Sequence, residues 1–131
     1  ILKDFPDFDA PVFLGGPVQA QSLFYIHDQE HLPSAIKISD GIYWDGDFDL
    51  LKTWIERGKI KKENIRFFLG YSGWETSQLQ QEIESQSWLI SKMSKKAVFD
   101  TEEDDLWRTA LREMGKEQAV FANFPEDPNL N

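Results

Sequence analysis

Residues 65–88 read IRFFLGYSGWETSQLQQEIESQSW and pass from strand to turn to helix to strand. Ile65 to Tyr71 is an apolar, aromatic run too short for a helix and ended by glycine and serine, which predicts a strand buried on both faces. Gly70 and Gly73 permit backbone angles and close approaches that a side chain forbids. Ser72 followed by Glu75 fits a capping box, and Ser77 followed by Gln80 fits equally, so two helix starts one turn apart remain open. Leu79 and Ile83 share a helical face, and Trp88-Leu89-Ile90 predicts the next strand.

The 131 residues are the size of one domain, long enough to bury roughly two-thirds of the unfolded chain's surface. We expect a single domain with one core. The chain opens on Ile1 and is already aromatic and acidic there, which predicts that a native N-terminal segment is missing or removed. No apolar run approaches the roughly 20 residues that cross a bilayer. There is no cysteine, which removes disulfides, thiolate nucleophiles and thiolate metal sites.

Acids outnumber bases by 23 to 14, a net charge of −9 spread evenly along the chain. Nucleic-acid affinity rests on Lys and Arg neutralising phosphates, so this balance argues against direct, independent DNA binding. The one basic concentration is Arg57, Lys59, Lys61 and Lys62. It reads as a solvated connection, with Arg57 well placed at a helix C-terminus.

Upstream of the quoted stretch, Pro11 to Leu14 is a short strand that runs into Gly15-Gly16-Pro17-Val18, a sharp turn. No Gly-Lys-Ser/Thr follows, so a phosphate loop is disfavoured. Ser22 to His27 is a second strand, and Ala35 to Ser39 with Gly41 to Trp44 form a hairpin about Asp40-Gly41. Asp47 opens an amphipathic helix with Leu50, Leu51, Trp54 and Ile55 on one face, stopped by Gly58.

Downstream, Ala97-Val98-Phe99 is a short apolar patch. Thr101 caps a helix whose first turn is acidic and whose Arg108 and Arg112 lie toward its C-terminus, in keeping with the dipole. Leu106, Trp107, Ala110, Leu111 and Met114 form its core face. Glu117 to Phe121 adds a turn, and the tail FPEDPNLN is extended or loose. These elements predict an α+β fold: a mixed, largely antiparallel sheet with three main helices, Asp47 to Arg57, Glu75 to Ser85 and Glu102 to Met114. Trp54, Phe68, Leu79, Trp88, Trp107 and Leu111 are expected to be mostly buried.

Three constellations resemble known chemistry. His27-Asp28-Gln29-Glu30-His31 matches the H-x-x-E-H of inverted zinc proteases, yet that motif needs a helix and Pro33 leaves no room for one. Asp45, Asp47, Asp49 and Glu56 stand at calcium-loop spacing, but the turn glycine required at the sixth position is Leu50. Helix capping by Asp45 or Asp47 is the favoured reading. Gly70-Tyr71-Ser72-Gly73-Trp74 resembles a nucleophile elbow with tryptophan in place of the last glycine, and only His27 and His31 offer a base. Capping by Ser72 is preferred. No catalytic residue, metal site or cofactor is predicted.

Phe13-Leu14-Gly15-Gly16-Pro17-Val18, then Leu69 to Trp74 with Gln78-Leu79, Glu82-Ile83 and Trp88, then Leu106-Trp107, Ala110-Leu111 and Met114-Gly115, together resemble the AlgH/YqgE family of bacterial proteins. The resemblance spans about residues 11 to 115 and is weaker over His27 to Gly46 and the tail. Family members typically carry a few more strands and turns before the GGPV block, which the chain lacks. The resemblance implies an α+β, cytoplasmic protein, often labelled a transcriptional regulator, without an agreed activity or catalytic residues. Where the family motif and the local physics agree are two turns, Gly15-Gly16-Pro17 and Gly70-Tyr71-Ser72-Gly73-Trp74. Their exposed backbone groups predict a shallow binding surface if they meet, with tight packing as the alternative. Three functions follow: an adaptor or regulator working through an unidentified protein partner, a direct DNA binder using residues 57–62, and a hydrolase using Ser72.

Overall fold

A computed structural model of the protein describes residues 8–100 and 102–115. The chain divides at Gly73/Trp74 into two compact units.

The first unit carries the sheet: β1 (Val12–Leu14), β2 (Val18–His27), β3 (Ile36–Ser39), β4 (Ile42–Trp44) and β5 (Ile65–Tyr71). The spatial order is β1-β5-β2-β4-β3. β5 runs parallel to β1, and the other pairs are antiparallel, so the sheet is mixed and largely antiparallel as the sequence predicts. Flanked on both sides, β5 spends its backbone groups on two ladders and buries Ile65, Arg66 and Phe67 in succession. Ser39 faces Ile42 across β3 and β4, which leaves Asp40-Gly41 as the reversal, with Gly41 at a φ of 75°.

The helix α1 (Phe48–Glu56) starts where Asp47 accepts the Leu50 N–H at 3.0 Å, one of the donors that a first turn leaves without a helical partner. It stops at Gly58, whose φ of 74° lets its N–H reach the Ile55 carbonyl at 3.0 Å. Leu51 and Ile55 join Ala10, Tyr25, Leu32, Ile60, Ile65 and Phe67 in one core cluster. Full burial of a side chain such as Leu51 stabilises by roughly 1.5–3 kcal/mol. Trp54 packs at the edge of that cluster with the Lys59 ammonium 3.5 Å from its ring centre. A single 3-10 turn, Lys62–Asn64, leads into β5.

The second unit contains α2 (Gln78–Glu84), α3 (Lys95–Asp100) and α4 (Glu103–Met114). The sequence-based helices over 47–57 and 102–114 agree with α1 and α4, while the predicted helix from Glu75 is shorter and begins at Gln78. The apolar patch Ala97-Val98-Phe99 lies inside α3.

Trp88-Leu89-Ile90 is not a strand: it is irregular backbone, and no sheet pairing reaches it. Leu79 (38% exposed), Trp88 (49%) and Trp107 (38%) are exposed, against the expectation of burial. Trp107 stands one turn before the buried Leu111 on the same face of α4, but its large indole is not covered as the leucine is. Leu111 is buried as expected, and Trp54 and Phe68 are half-buried. The proposed Thr101 cap, the extra turn over Glu117 to Phe121 and the tail lie outside the described residues.

Candidate functional site

The parallel pairing of β1 with β5 carries the two motif turns to the same end of the sheet. The Gly15 N–H donates to the Leu69 carbonyl at 2.8 Å, extending the ladder beyond Leu14. From there the backbones touch. A Cβ built on Gly15 would stand 2.2 Å from the Gly70 carbonyl oxygen, one on Gly16 would stand 2.3 Å from the Tyr71 carbonyl, and one on Gly70 would stand 2.3 Å from the Gly16 oxygen. Gly70 also holds a φ of 73°, a conformation that costs L-residues about 1–2 kcal/mol. Close backbone packing therefore explains glycine at 15, 16 and 70. It does not explain Gly73, whose added Cβ would make only an ordinary 3.7 Å contact with Val18.

Gly15, Gly16, Gly70, Tyr71 and Ser72 are thus brought together, with Pro17 exposed beside them. Ser72 corrects the sequence reading, because it does not cap α2. Its hydroxyl donates to the Gly15 carbonyl at 3.4 Å, a long, exposed bond that ties one turn to the other. Ser77 occupies the N-cap position of α2 in a left-handed conformation without a side-chain cap bond. The Gln78 side chain bonds outside the helix, its Oε1 accepting the Glu75 N–H at 3.1 Å, so the first turn of α2 has no side-chain cap.

His27, the nearest thing to a catalytic base in the sequence, stands at the far end of β2, paired with Ile65. Ser72 lies seven positions further along the chain that forms β5, on the order of 20 Å at about 3.3 Å per residue. Both imidazole nitrogens are engaged: Nδ1 accepts the Gln29 N–H at 3.0 Å, which leaves Nε2 to donate to the Asp45 carbonyl at 2.7 Å. Burial holds the ring's pKa below its usual value, opposed by the Asp45 carbonyl and by Asp28. Tyr25 sits beside it with its hydroxyl donating to the Gly46 carbonyl at 2.9 Å, and its pKa is pushed upward by burial first and by Asp45 second.

The metal readings can be placed in the same terms. His27 and His31 flank a turn and share no helix, while Asp47 caps α1 and Asp49 lies in its first turn. Among the described residues no group of three or more His, Asp or Glu is arranged to hold a metal. The basic residues Arg57, Lys59, Lys61 and Lys62 are all exposed on the connection after α1. No helix of the described residues is long and apolar enough to cross a membrane.

Trp74 opens the second unit, and there the sequence reading missed the organising residue, Glu82. Its Oε2 accepts the indole N–H of Trp88 at 2.7 Å and that of Trp74 at 3.1 Å. Its Oε1 accepts the Gln78 amide at 3.0 Å. The two indoles meet edge to face with centroids 5.9 Å apart. These bonds, that from Trp88 foremost, hold the Glu82 carboxyl below the usual carboxylate range. The available signal was a carboxylate one turn beyond Gln78, between two tryptophans that each bring an N–H needing an acceptor.

A mixed five-stranded sheet with helices, closed at one end by two glycine turns in backbone contact, defines an α+β protein of a recognisable kind. A family model described as AlgH-like matches residues 1–119, and the chain belongs to that family. It is 41% identical over its full length to a UPF0301 protein of Cytophaga hutchinsonii, covering 73% of that protein. It is 39% identical to a UPF0301 protein of Bacteroides thetaiotaomicron, covering 67% of it. The solution structure of AlgH from Pseudomonas aeruginosa superposes with a TM-score of 0.65 at 24% identity, over 93% of this chain and 67% of that one. That likeness concerns the fold alone.

Proposed function

We propose that the protein acts in the cytoplasm as a non-enzymatic adaptor or regulator, through contacts with another protein. The observation that carries this reading is the state of Ser72 and His27. The hydroxyl at the elbow-like turn is bonded to a backbone carbonyl, and the histidine has both nitrogens committed to backbone partners at the opposite end of the sheet. Nucleophilic catalysis needs the serine and its base within hydrogen-bond reach, about 3 Å. The net charge of −9 supports a protein partner over a phosphate backbone.

In this reading the turn pair formed by Gly15, Gly16, Pro17 and Gly70 to Gly73 serves as a rigid platform for contact. The test is a pull-down from native cytoplasm with the full-length protein as bait, run beside a fluorophosphonate serine probe and a duplex-DNA shift assay at low salt. A specific protein partner with no labelling of Ser72 and no DNA shift is the expected result. Stoichiometric labelling of Ser72 would establish the hydrolase reading in its place, and a salt-dependent DNA shift would establish direct binding through residues 57–62.

A further inference from the structure

A backbone N–H can only donate, so the bond from the Gln29 N–H to His27 Nδ1 exists only while that nitrogen carries no proton. The ring has no slack elsewhere, because Nε2 is committed to the Asp45 carbonyl and the residue is fully buried. One imidazole therefore joins two segments that are distant in sequence. The first, residues 28–35, is a turn closed by the Leu32 N–H on the Gln29 carbonyl at 3.2 Å and the Ala35 N–H on the Leu32 carbonyl at 3.3 Å. The second, residues 45–47, is tied to that turn by the Asp47 N–H on the Pro33 carbonyl at 2.8 Å. Gly46 lies so close to it that an added Cβ would stand 2.7 Å from Leu32 Cδ2. Each segment also holds one non-glycine residue in the left-handed region, Ser34 at a φ of 66° and Asp45 at 59°. Such conformations persist only where the surrounding bonds enforce them.

An added proton on Nδ1 would face the Gln29 N–H, and little around the ring compensates it. Tyr25 of β2 and Tyr43 of β4 present aromatic rings, with centroids 5.8 and 6.0 Å away. Across the sheet β5 presents Ile65, and Arg66 points to the opposite face. Beyond Tyr43 the register leads to Lys37, whose ammonium is paired with Asp40 at 3.1 Å. Asp28 and Asp45 do favour a charged ring, but the Asp28 oxygens are engaged by Gln29 Nε2 at 2.6 Å and Asn64 Nδ2 at 2.9 Å, and burial outweighs both acids. Glu30 and His31 on the turn, Asp47 and Asp49 at the start of α1, and Lys61, Lys62 and Glu63 before β5 are all exposed to solvent.

We propose that His27 is a proton-operated latch: when Nδ1 takes up a proton from solvent the Gln29 bond is lost, residues 28–35 and 45–47 release together, and the core residue Leu32 is uncovered. The opening is local. β1 and β5 stay paired, as do the two glycine turns at the other end of the sheet. This acid response goes beyond the protein-contact reading and is independent of it.

Hydrogen exchange of the full chain, followed by NMR from about pH 7.5 to about pH 5.5 and corrected for the intrinsic exchange rate, tests the latch. The Gln29, Leu32 and Asp47 amides should lose protection by up to about tenfold over that range, since one proton is taken up on opening. The Gly15 amide, bonded to the Leu69 carbonyl, should keep its protection. At the upper pH the ring 15N shifts should show the proton on Nε2. In His27→Gln the three amides should no longer respond to pH, and if that variant does not fold, the wild-type profile decides by itself. Unchanged protection across the range, a proton on Nδ1 at the upper pH, or a response that persists in His27→Gln would overturn the proposal. An equal loss at Gly15 would overturn it as well, because the whole sheet would then be unfolding.

Discussion

Replacing Gly70 by alanine should destabilise the protein by about 2–4 kcal/mol, from three separable terms. The φ of 73° costs a non-glycine residue about 1–2 kcal/mol. The new Cβ would lie 2.3 Å from the Gly16 oxygen and 3.0 Å from the Val18 oxygen, both backbone atoms, so one of the two turns must retreat by about 1 Å. Overpacking of this order costs about 1–3 kcal/mol. Alanine returns about 0.4–1 kcal/mol by restricting the unfolded chain. At about 4 °C per kcal/mol for a chain of this size, the Tm should fall by about 8–16 °C.

Gly58→Ala is the matched control, because Gly58 has a φ of 74° and nothing within 4 Å of its missing Cβ. It bears the conformational term alone, about 1 kcal/mol and about 4 °C. Thermal and urea unfolding of the two variants side by side isolates the steric contribution. Equal shifts would refute the contact between the Gly15-Gly16 and Gly70-Tyr71 turns, since φ is common to both sites.

Ser72→Ala should change stability by less than about 0.5 kcal/mol, because only an exposed 3.4 Å bond is lost; a loss near 1 kcal/mol in urea would restore the capping role. Asp47→Ala should cost about 1 kcal/mol in the same assay and Ser77→Ala at most a few tenths, since only Asp47 makes a cap bond. Phe67→Ala, at a fully buried site, should cost about 3–5 kcal/mol and Trp107→Ala less than half of that, read from denaturant midpoints. His27 has a folded pKa below its unfolded value of about 6.5, so the unfolded chain takes up the proton first. Its stabilising contribution is complete above that pH and is lost as pH falls toward the folded value, at up to about 1.4 kcal/mol per pH unit. The difference in urea stability between the wild-type protein and His27→Gln, followed from pH 7.5 to 5.5 (about 1 unit either side of that value), should shrink on acidification; a constant difference would show that the ring does not titrate as described.

The strands and α1 were legible because their signals are local. An uninterrupted apolar run marks β5, Asp40-Gly41 marks the hairpin, and Asp47 and Gly58 bracket α1 with a cap and a stop. The meeting of the two glycine turns was legible only as a possibility, since it depends on the long-range pairing of β1 with β5. The second unit was harder. Two capping patterns competed at Ser72 and Ser77, and neither side chain makes a cap bond, Ser72 being turned to the Gly15 carbonyl. Trp88 to Ile90 had the composition of a strand but pairs with none among the described residues, and the acceptor for the Trp88 indole lay back on α2. Neither periodicity nor propensity contains the position of that carboxylate.

The place of β5 between β1 and β2 has a consequence for how the chain is made. Val12 of β1 pairs with Phe67, 55 positions later (67 − 12), and β2 joins β4 only through Ile26 and His27. Until Ile65–Tyr71 has left the ribosome, β1 and most of β2 have no strand partner among the described residues. At about 5–20 residues per second, that interval lasts about 3–10 s, during which Phe13, Leu14, Leu23 and Phe24 are open to other chains. Synthesis slower than usual between residues 15 and 65 should therefore raise the demand for chaperones that hold nascent chains, and release of β5 should end it.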